Sequence, residues 1–190
     1  MKINAILMAS GLSERMGQNK LMLDFRGKEI YKYTLDLLQS LNFDKVVVAS
    51  SYEEILEDAK KRGFVAIENK DNKVGKSASI RLGVEACDED AAMMFFVADQ
   101  PLLTKETCEK LIARFKENQI ITYPVVGRRR GAPVIFPPQF RDKLLGLKED
   151  QGGMIFANDN PTNRVEIGSE TELLDIDTFE SYENLRHDHE

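Results

Sequence analysis

The chemistry in this chain begins where an apolar run stops. Ala5 to Ala9 are apolar, and the loop that follows, SGLSERMGQNK (residues 10–20), brings two glycines, one arginine and one lysine. Gly11 and Gly17 let backbone approach a ligand closely and turn N–H groups towards an anion. Arg15 offers a planar fork that matches phosphate oxygens. Lys20 offers a compact ammonium, suited to neutralising charge that develops during a reaction. The loop is neither G-x-G-x-x-G nor G-x-x-x-x-G-K-[S/T], and the GKS at Gly75–Ser77 lacks the glycine needed upstream. A standard dinucleotide fingerprint and a Walker P-loop are therefore excluded. The loop reads as a phosphate cradle of another kind, or as a surface loop with two solvated cations.

Asp99 ends the most apolar segment of the chain, in FFVADQPLLT. An isolated buried carboxylate is costly, so Asp99 calls for a cation. Magnesium is the natural one, because it takes one or two carboxylates plus substrate phosphate oxygens; a turn cap before Pro101 competes. NKVGKSASIRLG puts Gly75, Ser77 and Ser79 at a helix start. Hydroxyls and free N–H groups there can grip a nucleobase edge or an anion, or simply cap the helix. In EDQGG, Asp150 precedes Gly152 and Gly153. It can reach the same metal or cap a helix, and the two readings stand level. GRRRGAPVIF places three arginines beside a glycine, either to meet an anionic substrate or as a solvated hairpin turn.

Alternating strands and helices must position these groups. The pattern predicts buried strands at Lys2–Ala9, Lys45–Ser50, Phe64–Asn69 and Ala91–Asp99, the last apolar on both faces and so central. Helices are expected at Glu29–Leu41, Tyr52–Arg62 and Ser77–Cys87, and in a segment capped by Thr104 that runs through Leu111, Ile112 and Phe115. IITYPVV and PVIF read as a hairpin-like pair, PPQFRDKLLGL as a helix with proline near its start, and a short helix at MIFAND and a strand at RVEI follow. Such alternation implies an α/β fold with a mostly parallel sheet and helices on both faces. Ligands then bind at the carboxyl ends of the strands, where the residues above fall.

The 190 residues are expected to form one domain, with 177–190 an acidic, weakly patterned tail. With 42% hydrophobic residues a sizeable core is possible, and the net charge of −6 gives no reason to expect nucleic acid or a membrane as partner. Any anion must be held by a local site. Cys87 and Cys108 form no C-x-x-C, which excludes a cysteine zinc site and fits a reducing cytosol. The longest apolar stretch, Ala91–Ala98, is the length of a strand, no signal-peptide pattern is present, and His187 and His189 read as solvated groups of the tail. A cytoplasmic location is expected.

Together these segments resemble the MobA-like nucleotidyltransferases, and within them the molybdenum-cofactor cytidylyltransferase branch. MASGLSERMGQNK is similar to the signature L-x-x-G-x-x-x-R-M-G-x-x-K at Gly11, Arg15, Met16, Gly17 and Lys20. The likeness continues through ADQP, GKSASIRLG, GAPVIF and EDQGG, to about Ala157. It implies a Rossmann-like three-layer sandwich of the nucleotide-diphospho-sugar transferase type. It implies an enzyme that joins a nucleoside monophosphate from CTP to the phosphate of molybdopterin and releases pyrophosphate, serving a molybdenum hydroxylase. By the resemblance Arg15, Lys20 and Asp99 are catalytic, Asp99 and Asp150 hold magnesium, and Ala9, Ser10, Gly11, Gly17, Gly75, Ser77 and Ser79 hold the nucleotide. Another phosphate acceptor, guanylyl transfer to the molybdenum cofactor, and a non-catalytic cofactor chaperone are the alternatives.

Three departures bear on specificity. Ser10 stands where the cytidylyl branch has alanine and the guanylyl branch glycine. A side chain there fills space beside the base, which favours the smaller pyrimidine. Ala132 stands where a larger residue is common. EDQGGMI replaces a GDxGAR-like segment, so its arginine is missing and Glu149 stands where glycine is usual. The last two leave the acceptor open.

Overall fold

A computed structural model describes residues 1–11, 13 and 16–187. Arg15 and His189 therefore lie outside the described residues, as does the side chain of His187.

The strands of the main sheet are β1 (Ile3–Ala9), β4 (Lys45–Ser50), β5 (Val65–Glu68), β6 (Ala92–Val97), β7 (Ile121–Val126), β8 (Arg129–Arg130), β9 (Val134–Phe136) and β10 (Thr162–Glu166). A two-stranded ribbon, β2 (Asp24–Phe25) and β3 (Lys28–Glu29), stands apart from it. The helices are α1 (Ile30–Ser40), α2 (Glu53–Lys61), α3 (Lys76–Ala86), α4 (Lys105–Asn118), α5 (Arg141–Leu145) and α6 (Phe179–His187). The sheet order is β10-β7-β9-β6-β1-β4-β5, with β8 paired to β7. β6 is central, as its unbroken apolar sequence AMMFFV predicts, and it pairs β1 in parallel from Ile3↔Ala92 to Met8↔Val97. The sheet is mostly parallel. The exception in its body is β9, which runs antiparallel to both β6 and β7.

Alternation along β1 divides the core between the two sheet faces. Ile3, Ala5, Leu7 and Ala9 join one buried cluster with residues of α1, α2, α4 and α6, while Ile6 joins a second with Ile80 and Val84 of α3 and Leu144 of α5. Period-two side chains on a strand buried on both faces require two helical layers, and the result is a three-layer sandwich. The helices begin where their local chemistry allows. Thr104 accepts the Thr107 N–H at 3.2 Å and starts α4, and Gln119 ends it in the left-handed conformation.

The expectation of a peripheral tail from Asp177 onward is corrected. Within it α6 buries Tyr182 and Leu185 in the first cluster, Tyr182 Oη donates to the Asp24 carbonyl at 2.5 Å, and the Arg26 guanidinium donates to the Leu185 carbonyl at 2.5 Å. The preceding segment is pinned just beyond the end of β6, because the Ile176 N–H donates to the Asp99 carbonyl at 3.0 Å. Two buried side chains, each of which contributes up to about 1.5–3 kcal/mol, suffice to dock a short helix that has little periodicity of its own. No helix among the described residues is long and apolar enough to cross a membrane.

Candidate functional site

At the carboxyl ends of β1 and β6 the structure encloses a cavity of about 670 Å³. Five parts of the chain line it. From the first come Ala9, Ser10, Gly11 and Lys20; from the second Gly75 and Ser79; from the third Asp99; from the fourth Asp150; from the fifth Asp175 and Asp177.

Lys20 organises the centre. Its turn, Lys20–Met22, is capped by Asn19, whose side chain accepts the Leu21 N–H at 3.1 Å. The ammonium donates to Asp99 Oδ2 at 2.6 Å and to Asp177 Oδ1 at 2.9 Å, and the side chain is only 10% exposed. Burial opposes charge on Lys20, but the Asp99 charge and the hydrogen bonds to both carboxylates outweigh it, so its pKa lies above the ordinary lysine value. Asp175 lies beside this pair. Its carboxyl titrates above the usual range, chiefly through burial and then through the negative charge of Asp99, and the Gln100 amide donating at 2.8 Å partly offsets that. Asp175 and Asp177 are the functional residues that sequence reasoning missed. The signal was the spacing in Asp-Ile-Asp: in an extended segment, positions two apart share a face, and here Ile176 turns into the core while both acids line the cavity.

The donor set suits a hard divalent cation. Asp99 and Asp177 converge on one point, the Lys20 ammonium, and no cluster of three or more metal-ligating side chains exists among the described residues. One or two carboxylates, with the rest of the coordination left to phosphate oxygens and water, is what magnesium uses at nucleotide sites.

The loop after β1 is fastened to β4. Ser10 Oγ donates to the Ala49 carbonyl at 3.2 Å, Ser50 Oγ to the Ala9 carbonyl at 2.8 Å, and Tyr52 Oη to the Gly11 carbonyl at 2.6 Å. The Ser10 hydroxyl hydrogen is thus spent on backbone, and what the residue presents to the cavity is bulk. A Cβ built on Gly11 would meet no atom of the described residues within 4 Å. Gly17 does not line the cavity; with φ +66° it serves the turn that brings the chain back to Lys20.

At α3 two expectations are refined. The loop 149–150 covers the helix start: the Glu149 carbonyl accepts the Ser77 N–H at 3.1 Å and Asp150 Oδ1 accepts the Lys76 N–H at 3.3 Å. These N–H groups are occupied by the protein itself, and the capping role of Asp150 is realised in the structure. Ser79 lines the cavity, its Oγ accepting from the Asn69 amide at 3.0 Å, whereas Ser77 is fully buried and lines no part of it. The reason is helical geometry: residues two apart do not share a face. The covering loop also carries strain. Glu149 sits at φ +50°, a left-handed conformation that costs a residue with a Cβ about 1–2 kcal/mol. Glycine would remove that cost but lose about 0.5–1 kcal/mol to its freer unfolded chain. Glu149→Gly should therefore stabilise the protein by about 0.5–1 kcal/mol, raising the midpoint of a calorimetric melt by about 1–4 °C.

A second cavity of about 450 Å³ adjoins the first and shares Met8, Lys76, Val97 and Asp175 with it. Its floor is apolar, with Ile80, Phe95, Phe136 and Met154, and Arg129 and Arg130 stand at its edge. Arg129 donates to the Leu173 carbonyl at 2.8 Å and Arg130 to Asn158 Oδ1 at 3.2 Å. Two of the three arginines in GRRRGA thus line a cavity rather than projecting wholly into solvent.

The chain is similar to known proteins. Residues 5–164 match the family model of the MobA-like NTP transferase domain. The chain is 27% identical to the purine catabolism protein PucB of Bacillus subtilis over 95% of its own length and 94% of that protein. It is 25% identical to a probable molybdenum cofactor guanylyltransferase of Natranaerobius thermophilus, over 65% of this chain and 60% of that one. In fold it superposes on the manganese complex of Rv0371c from Mycobacterium tuberculosis with a TM-score of 0.80 at 19% identity, covering 99% of this chain and 100% of the other. A family match across more than four-fifths of the chain, on a mostly parallel three-layer sandwich with its cavity at the strand ends, makes this protein a member of the MobA-like NTP transferase family.

Proposed function

We propose that the protein is a cytidylyltransferase that uses CTP and magnesium to transfer CMP onto the phosphate of a molybdopterin-type acceptor in the cytoplasm, supplying a molybdenum hydroxylase. The observation that carries this reading is the convergence of the β1 loop, Lys20, Ser79 and Asp99 on one cavity. In the reaction an acceptor phosphate oxygen forms a bond to the α-phosphorus of the nucleotide. The bond from that phosphorus to the bridging oxygen breaks, and pyrophosphate leaves with the electron pair.

Such transfer needs positioning and charge neutralisation more than covalent help. The amides of the β1 loop and Arg15 would hold the β- and γ-phosphates, and the Lys20 ammonium would meet the charge that builds on the α-phosphate oxygens. Asp99 and Asp177 would hold magnesium, and Asp150, which lines the same cavity, is the further candidate ligand. Bound magnesium supplies neutralisation of the phosphate charge. The second cavity fits the acceptor: a flat ring can lie on its apolar floor, and Arg129, Arg130 and Lys76 offer cations to a phosphate. Asp175, shared by both cavities, marks where the two substrates would meet.

Base choice rests on Ser10. Because its hydroxyl is engaged with Ala49, discrimination by bulk is the operative effect. A contact of that size is worth about 1–3 kcal/mol, or roughly 10–200-fold. In wild-type protein with magnesium and molybdopterin, pyrophosphate release should be faster from CTP than from GTP. Ser10→Gly should shrink that preference by about tenfold, while Ser10→Ala should keep it. Turnover of GTP without turnover of CTP would overturn the assignment of the base.

A further inference from the structure

The two cavities meet along a shared wall of four residues, Met8, Lys76, Val97 and Asp175. Among the described residues Lys76 is the one cation that lines both. Lys20 and Lys73 line the first cavity alone, and the Lys20 ammonium is held by Asp99 and Asp177. Arg129 and Arg130 line the second alone and donate to the Leu173 carbonyl and to Asn158. Lys76 is exposed, and its ammonium has no hydrogen-bond or ion-pair partner among the described residues. Its main chain, by contrast, is fixed. The Lys76 N–H donates to Asp150 Oδ1 at 3.3 Å, the Ser77 N–H donates to the Glu149 carbonyl at 3.1 Å, and Gly75 backs onto that same loop with no room for a Cβ. An uncommitted ammonium thus stands on a held stem where the cavities join. The rest of the shared wall does nothing to draw in an anion: Met8 and Val97 are apolar, and Asp175 is an acid held by the Gln100 amide at 2.8 Å.

Transfer requires two anions to come into contact, the acceptor phosphate from the second cavity and the α-phosphate in the first. Like charges repel strongly at that range where water is scarce. A cation fixed between them offsets the repulsion most when the anions are closest, which is in the transition state. We infer that Lys76 is a further catalytic residue, whose ammonium binds the attacking phosphate of the acceptor and holds it against the α-phosphate of the nucleotide. This role deepens the reading given under Proposed function and rests on it for where the two substrates lie. The bond formed is from the acceptor oxygen to the α-phosphorus, the bond broken is from that phosphorus to the bridging oxygen, and the electron pair leaves with pyrophosphate. Lys76 keeps its proton throughout. The two lysines divide the work: Lys20 meets the charge of the nucleotide, and Lys76 meets that of the acceptor.

The experiment is single-turnover transfer from α-labelled CTP with magnesium, over a range of molybdopterin concentrations, using the full chain and its Lys76 variants. Calorimetric binding of CTP and a thermal melt accompany it. Lys76→Met keeps most of the length of the side chain but not its charge. It should lower the second-order rate constant for molybdopterin by about 10²-fold. CTP affinity and the melting midpoint should stay as in the wild type, because the ammonium has no partner in the protein to lose. Lys76→Arg restores a cation and should recover about tenfold of that loss. Transfer by Lys76→Met at the wild-type rate would overturn the role of Lys76 and leave the functional reading standing. A loss that follows CTP affinity alone would overturn it as well, because the ammonium would then serve the nucleotide. So would a loss that arginine does not recover or that comes with a lower melting midpoint, because Lys76 would then serve the fold. Absence of any transfer by the wild type would overturn the functional reading, and the role of Lys76 with it.

Discussion

Asp99→Ala should lower the turnover number for nucleotidyl transfer by at least about 10²–10³-fold and leave the protein folded. Loss of one preorganised electrostatic group at a reaction centre costs on that scale, and here the same side chain both partners Lys20 and lines the cavity at the strand ends. Folding should survive because the charge on Lys20 is not stranded: Asp177 stays within 2.9 Å of its ammonium. Asp175 should titrate closer to the normal carboxylate range in this variant, since the Asp99 charge is one of the causes that hold it up. The test is single-turnover kinetics alongside a thermal melt. A large loss of rate at an unchanged melting midpoint identifies a catalytic group. A loss of both in proportion would mean that Asp99 serves the fold.

Gly75→Ala should fail in the opposite way, through the scaffold. Gly75 has φ +112°, and a Cβ there would lie 2.7 Å from the Glu149 carbonyl oxygen and 2.9 Å from the Asp150 Cα, all of it backbone. Neither the dihedral nor the contact can be relieved by a rotamer change. Backbone strain of this kind costs about 1–3 kcal/mol and overpacking about as much, so a loss of about 3 kcal/mol is expected. For a chain of this size that lowers the melting midpoint by about 6–12 °C. The loop 149–150 must also retreat from α3, which uncaps Lys76 and Ser77 and moves one wall of the nucleotide cavity. The KM for nucleotide should therefore rise together with the loss of stability. An unchanged KM would show that this wall does not touch the nucleotide.

What could be read from the sequence, and what could not, divides along the range of the interactions. β6 was legible as a central strand because all six of its residues are apolar or small, which only a strand covered on both faces tolerates. α4 was legible from Thr104 and the spacing of Leu111 and Phe115. Ser10, Gly11, Lys20, Asp99 and Ser79, which line the cavity, were legible as candidates because glycine, cation and carboxylate fall where strands end. The antiparallel pairing of β7 with β9 was legible as a hairpin; the place of β9 between β7 and β6 was not. Val134–Phe136 is three residues long, and only its pairing with Met93–Phe95 places it there. That Asp150 caps a helix was one of its two readings, but that the helix is α3 was hidden, because the two lie more than seventy positions apart. The clue was negative: Gly75, at the N-cap, has no side chain to cap with, so some other part of the chain had to do so. Asp177 escaped notice because its partner Lys20 is 157 residues distant and because docking of Tyr182 and Leu185, rather than any local periodicity, brings it there.

Transfer of the α-phosphoryl end of a nucleoside triphosphate in this cavity can be followed with label. The most direct measurement uses CTP labelled in parallel samples at the α- or the γ-phosphate, with magnesium, molybdopterin and wild-type protein. The α-label should appear in the acceptor, the γ-label should leave as pyrophosphate, and Asp99→Ala should stop both. Label from the γ-position in the acceptor, or no α-label transferred from any of the four triphosphates, would contradict that transfer.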